Sequence, residues 1–135
     1  MSIRKSPALL VTNLVLLGAV IVHGADHAFR HISPTPAQLG VLGIIGLVLT
    51  TTSTGLAWIR HASAPRVGAF VGSFTAVSAA AVHLAPRWGF FSQPYSSIPV
   101  DTVSWAILTF EIAAAVVLAV VSLSVVTPAR RARAA

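Results

Sequence analysis

The stretch ALLVTNLVLLGAVIVHGADHA, residues Ala8 to Ala28, decides the fold. Residues 8–22 carry no charge, and then His23-Gly24-Ala25-Asp26-His27 breaks into the apolar run. About 20 residues at a rise of 1.5 Å are what an α-helix needs to cross a hydrocarbon core. Three further runs repeat the pattern, at Ala37–Ile59, Val67–Ala85 and Thr102–Val126. Backbone groups in lipid must be satisfied within their own segment, so runs of this length are helices and not strands. The expected fold is all-α: a polytopic membrane protein with one transmembrane domain over residues 1–135. It is a four-helix bundle with spans near 8–28, 37–59, 67–85 and 102–126 and an outer loop at 86–101.

Composition agrees. Of the 135 residues, 56% are hydrophobic and 9% charged, against about a quarter charged in soluble domains. So short and apolar a chain could not clothe a water-exposed surface. The net charge is +6, but the positive residues flank apolar runs and form no basic patch interleaved with aromatics, so nucleic acid is not the expected partner. There is no cysteine, which excludes disulfides, thiolate metal sites and cysteine-held clusters. The only methionine is Met1, which argues against a thioether copper site. Eight arginines against one lysine, with abundant Ala and Val, is the usage of high-GC bacteria.

Prolines punctuate the runs. Ser6-Pro7 opens the first, Pro36 the second, Ala64-Pro65 separates the second from the third, and Pro128 is expected to end the fourth. Arg4, Lys5, Arg60, Arg66, Arg130, Arg131 and Arg133 fall on one side of a four-span topology, and only Arg30 and Arg87 on the other. Positive residues collect in the cytoplasm, so both termini are expected there, in a multi-pass protein of a bacterial inner membrane. The first run is long for a signal core and no clear A-x-A site follows it, so it reads as a retained helix. Trp58 then belongs to the inner interface, and Trp88, Tyr95 and Trp105 to the outer. The outer connection PRWGFFSQPYSSIPVD is expected to lie on the membrane or fold back over the bundle, with Asp101 as N-cap of the fourth helix. No internal repeat supports an inverted-repeat transporter.

Placed by depth, four of five histidines and all three acids fall in the outer half; His61 is the exception. His23 lies roughly 7 Å outward of the midplane, His83 about 11 Å and Glu111 about 4 Å. A carboxyl group within a span is costly and should face the bundle interior with a partner. Ser104, Glu111 and Ser122 share one stripe. Thr12, Ala19, His23 and His27 fall within about 80° of one another on the first helix. His23 can therefore face Glu111 and His83, with Ser78 at similar depth, and His27 and Asp26 one turn higher, near water. TTTST (Thr50–Thr54) is expected to bond to its own helix or across to another.

Four kinds of chemistry could use this set. His23 and His27 share a face at i, i+4; with His83 and Asp26 or Glu111 they could hold Zn²⁺, Cu²⁺ or Fe²⁺. The glutamate of a zinc-protease motif is missing, and His31, about 12 Å along the axis from His23, is too far to join. Haem b could lie between His23 and His83. Without a cofactor, the pocket could bind a quinone, lipid headgroup or small solute, with Arg30, Arg87, Ser78 and Trp88 as contacts. It could also be the packing network of an accessory subunit in a homo-oligomer or larger complex, or a proton-coupled transport site. Gly40, Gly43 and Gly46, and Gly68-x-x-x-Gly72, permit close helix approach within the bundle or between subunits.

The motifs HGADH (23–27), HLAPRWGFFSQPY (83–95) and WAILTFEIAAA (105–115) together resemble a group of small four-helix membrane proteins of unknown function in high-GC bacteria. The resemblance covers most of the chain. It implies that four spans make a complete protein, and it attaches no activity.

Overall fold

The structure is a computed structural model that describes the backbone of residues 6–29 and 37–134, with side chains in those stretches as far as residue 126. It contains α1 (Pro7–Phe29), α2 (Ala37–Trp58), α3 (Ala64–His83) and α4 (Thr102–Ala134), with one 3₁₀ turn at Tyr95–Ser97. No strand occurs among the described residues. All four helices are long and apolar enough to cross a membrane.

α1, α3 and α4 each bury one stripe at three- and four-residue spacing, the period that keeps side chains on one face, while α2 is buried mainly at Thr50, Ser53, Thr54 and Ala57. On α1 the stripe is Leu9, Asn13, Leu16, Ala19, His23 and Asp26. On α4 it runs through Ser104, Leu108, Glu111, Ala115, Leu118 and Ser122. What is buried includes much that is polar, and what is exposed is mostly apolar, among it Val11, Ile21, Ile44, Val48, Phe70, Val77, Phe110 and Val120. A water-soluble bundle has the opposite distribution; helices solvated by hydrocarbon have this one.

The helices pack in cyclic order. α4 lies against α3 and α1, α2 bridges α1 and α3, and α1 and α3 are the diagonal pair with little backbone contact. The α3–α4 seam is the tightest, and glycines set it. A Cβ on Gly72 would stand 2.6 Å from the carbonyl oxygen of Ala115 and 2.7 Å from the nitrogen of Ala119. Small residues let backbones meet in this way, where dispersion and not hydrophobicity drives association. The Gly68/Gly72 pair thus packs within the chain, whereas Gly40, Gly43 and Gly46 face open space.

Polar pairs add direction. Ser53 donates to Asn13 Oδ1 at 2.6 Å, joining α2 to α1, while Thr50, Thr52 and Thr54 bond back to carbonyls of their own helix. Asn13, and not Thr12, belongs to the buried stripe; the Thr12 hydroxyl turns to the carbonyls of Ala8 and Leu9.

Helix ends follow local chemistry. α2 closes with His61 N–H bonded to Leu56 O and Arg60 N–H to Ala57 O. This is the Schellman pattern, with Arg60 at φ 55° where glycine is usual. Asp101 caps α4 by accepting from Ser104 N–H at 3.0 Å, as expected. Pro128 does not end that helix, which runs on to Ala134. A proline removes one helical donor, and it does so here just beyond Val126, where the apolar span has already ended. Pro36 lies outside the described residues.

Candidate metal centre at the loop-covered end of the bundle

The carbonyls of the last turn of α3 need partners, and the loop that follows supplies them. Trp88 Nε1–H donates to Ala81 O at 2.6 Å and Gln93 N–H to Val82 O at 2.8 Å. The Ser92 hydroxyl ties the loop together, accepting from the N–H groups of Trp88 and Gly89. Gln38, near the start of α2, donates to Phe90 O at 3.1 Å. The loop therefore folds back over the bundle, the second of its two expected courses. Residues 92–95 are buried, and Tyr95 is only 2% exposed.

Under this cover three imidazoles converge from two diagonal helices. His23 and His27 come from α1 and His83 from the last turn of α3. Their ring centroids are 4.9, 5.1 and 5.4 Å apart pairwise. One nitrogen from each lies within 4.8 Å of the others. The Nε2 atoms of His23 and His27 are 3.1 Å apart, and the Tyr95 hydroxyl stands 3.2 Å from the first and 3.3 Å from the second.

The opposite edges of two rings are tied down. Nδ1 of His23 is hydrogen-bonded to Glu111 Oε2, reaching across from α1 to α4. Nδ1 of His83 is 3.2 Å from the Gln93 carbonyl oxygen. A carbonyl can only accept, so His83 carries its proton on Nδ1 and presents a lone pair at Nε2. A carboxylate imposes the same tautomer on His23. Outer partners of this kind fix ring orientation and raise ligand basicity in metal sites.

His23, His27, His83 and Glu111 are thus brought together as the spacing implied. Glu111, 6% exposed, acts through His23, which makes it an orienting group. Asp26 departs from expectation. It is buried one turn above His23, and it is outside the cluster of mutually close ligand atoms. Ser78 bonds back to Thr75 O and lines the cavity described below. Arg87 and Trp88 are exposed and do not line that cavity. Arg30 and His31 lie outside the described residues. His61 sits at the opposite end, where its Nδ1 meets the Ser63 hydroxyl and backbone N–H.

Sequence reasoning missed Tyr95 as a site residue and placed it among interfacial aromatics. Its ring packs 4.5 Å from that of His83 and 5.4 Å from that of Trp105, centroid to centroid. Burial, then the nearby carboxylates of Asp26 and Glu111, push its phenol well above the ordinary tyrosine range. Its hydroxyl is therefore a neutral hydrogen-bonding group. No spacing in the sequence singles it out; it opens the 3₁₀ turn after Pro94, which is extended at φ −60° and ψ 129°.

A cavity of about 650 Å³ opens beside the cluster between α1, α2 and α3, and His23, His27, His83 and Glu111 are on its wall.

Comparison with protein-family models, with curated proteins and with solved structures found no match to this chain.

Proposed function

We propose that this chain is a metal-binding protein of a bacterial inner membrane, with both termini cytoplasmic and the histidine cluster at the periplasmic end. His23, His27 and His83 hold one divalent transition-metal ion, Zn²⁺, Cu²⁺ or Fe²⁺. Glu111 and the Gln93 carbonyl orient two of the rings. The observation that carries this reading is the convergence of three imidazole nitrogens within 4.8 Å, two of the rings being fixed from behind.

The distances favour an ion. Nitrogens around a tetrahedral zinc at about 2.0–2.1 Å stand about 3.3–3.4 Å apart, close to the 3.1 Å between His23 and His27. Small rotations of His83 complete the set. The ring contacts favour an ion over haem b, because His23 and His83 touch directly and leave no slot between them for a macrocycle. Three protein nitrogens leave a coordination position for an external ligand, the arrangement of catalytic and not structural zinc sites. That position would face the cavity, whose wall includes all three histidines.

Full-length protein purified in detergent and titrated with Zn²⁺ or Cu²⁺ against a competing chelator tests the reading. One equivalent binds to the wild type. His23→Ala, His27→Ala or His83→Ala each weaken binding at least ~100-fold, and Glu111→Gln by roughly 10–100-fold. His61→Ala leaves it unchanged. Equal binding by wild type and the triple alanine variant would show the cluster to be a packing network.

A further inference from the structure

The cavity between α1, α2 and α3 has a second feature that the metal ion does not use. Along α2 no residue from Gly40 to Leu49 is buried, while Leu39 before and Thr50 after are. The outer half of α2 therefore stands away from its neighbours and leaves a cleft. Gly40, Gly43 and Gly46, three residues apart and so on one face, line that cleft, and a Cβ on any of them would meet nothing within 4 Å. Phe74 of α3 lines it too. On the same wall is Thr75, 5% exposed, whose hydroxyl has no hydrogen-bond partner among the described residues. A buried hydroxyl without a partner is costly in an apolar medium. In a cleft facing lipid, a bound molecule with a polar oxygen would satisfy it.

We propose that this cleft binds a neutral, planar, lipid-soluble carbonyl or hydroxyl compound of the quinone or quinol class. The volume, about 650 Å³, falls in the ordinary range for small-molecule sites. The bare glycine face lets a flat ring approach the α2 backbone closely, with Phe74 available for ring contact. Thr75 supplies a hydrogen bond to one ring oxygen. Charge selects against ionic amphiphiles. Among the described residues no Lys or Arg lines the cleft, and the one acid on its wall, Glu111, is bonded to His23. An anionic headgroup would find no counter-charge among the described residues of the wall. The inference rests on the membrane embedding of the chain and is independent of the metal ion.

Binding of a decyl-substituted benzoquinone to the full chain in nanodiscs, after treatment with chelator, tests it. Saturable one-to-one binding is expected. Thr75→Val, which keeps the shape and deletes the hydroxyl, weakens it about tenfold. Gly43→Leu fills the cleft without straining the fold and weakens it more. Gly18→Leu is the control: its Cβ is equally unobstructed, but it lines the separate apolar groove between α1 and α4, and binding stays at the wild-type level. Dodecyl phosphate fails to compete. Binding that is absent, that is equally affected by Gly43→Leu and Gly18→Leu, or that dodecyl phosphate displaces would overturn the proposal. Because the protein is metal-free in this measurement, its outcome is separate from that of the metal titration.

Discussion

At the scale of single residues, a buried polar group in lipid must find a partner, and that rule made His23, His83 and Glu111 legible in the sequence. Each lies within an apolar run, so its depth follows from counting residues, and its need for a partner follows from depth. Tyr95 was not legible in the same way. Its position depends on how a loop of 16 residues (86–101) returns over the bundle, and no periodicity governs a loop. Tyr95 gives a direct test, because it is the chain's only tyrosine. Burial and two neighbouring carboxylates oppose a further negative charge, so the folded protein holds the phenol proton more tightly than the unfolded chain. The stabilisation is fully present below the ordinary tyrosine pKa of about 10 and is lost as pH rises toward the higher folded value. In an absorbance titration, phenolate should be missing at pH values where the denatured chain already shows it. Coincident curves would contradict the placement of Tyr95.

Among the helices, three- and four-residue spacing and the length rule of the bilayer located all four spans to within a few residues. The rule is strong because lipid offers the backbone no other partner. Ends were less legible. Pro128 reads as a stop only where losing one helical donor matters, and past the apolar span it does not. Nor did the two glycine rows differ in the sequence, although they do opposite things. Gly68 and Gly72 close the α3–α4 seam, and Gly40, Gly43 and Gly46 border a cleft. Substitution should separate them by degree. In Gly72→Ala the new methyl meets α4 backbone, which cannot move aside, and destabilisation of about 1–3 kcal/mol is expected. Gly68→Ala should cost less, because its nearest obstacle is the rotatable Ser122 hydroxyl. Gly55→Ala, with nothing within 4 Å, should be neutral or slightly stabilising. Unfolding midpoints in detergent rank the three, and a Gly68 variant weaker than the Gly72 variant would contradict the seam described.

For the whole molecule, the bundle is inside out relative to a soluble one: Asn13, Ser53, Glu111, His23 and His83 are within, and most of the described valines, isoleucines and phenylalanines are without. The site lies where the diagonal helices α1 and α3 meet under the loop. The proposed orientation rests on the arginines alone, whose asymmetry is the ground for putting the loop at 86–101 outside. The absence of cysteine makes this simple to test in intact cells. A cysteine at the exposed Ser97 should react with a membrane-impermeant maleimide and one at Ser2 should not; the reverse pattern would invert the topology.

The central claim is that three imidazoles share one ion. X-ray absorption of the zinc-loaded protein at the metal edge tests it most directly. The account predicts three imidazole nitrogens at about 2.0–2.1 Å with a fourth light-atom ligand, falling to two imidazoles in His83→Ala. A metal shell without imidazole scattering, or one unchanged in His83→Ala, would contradict it.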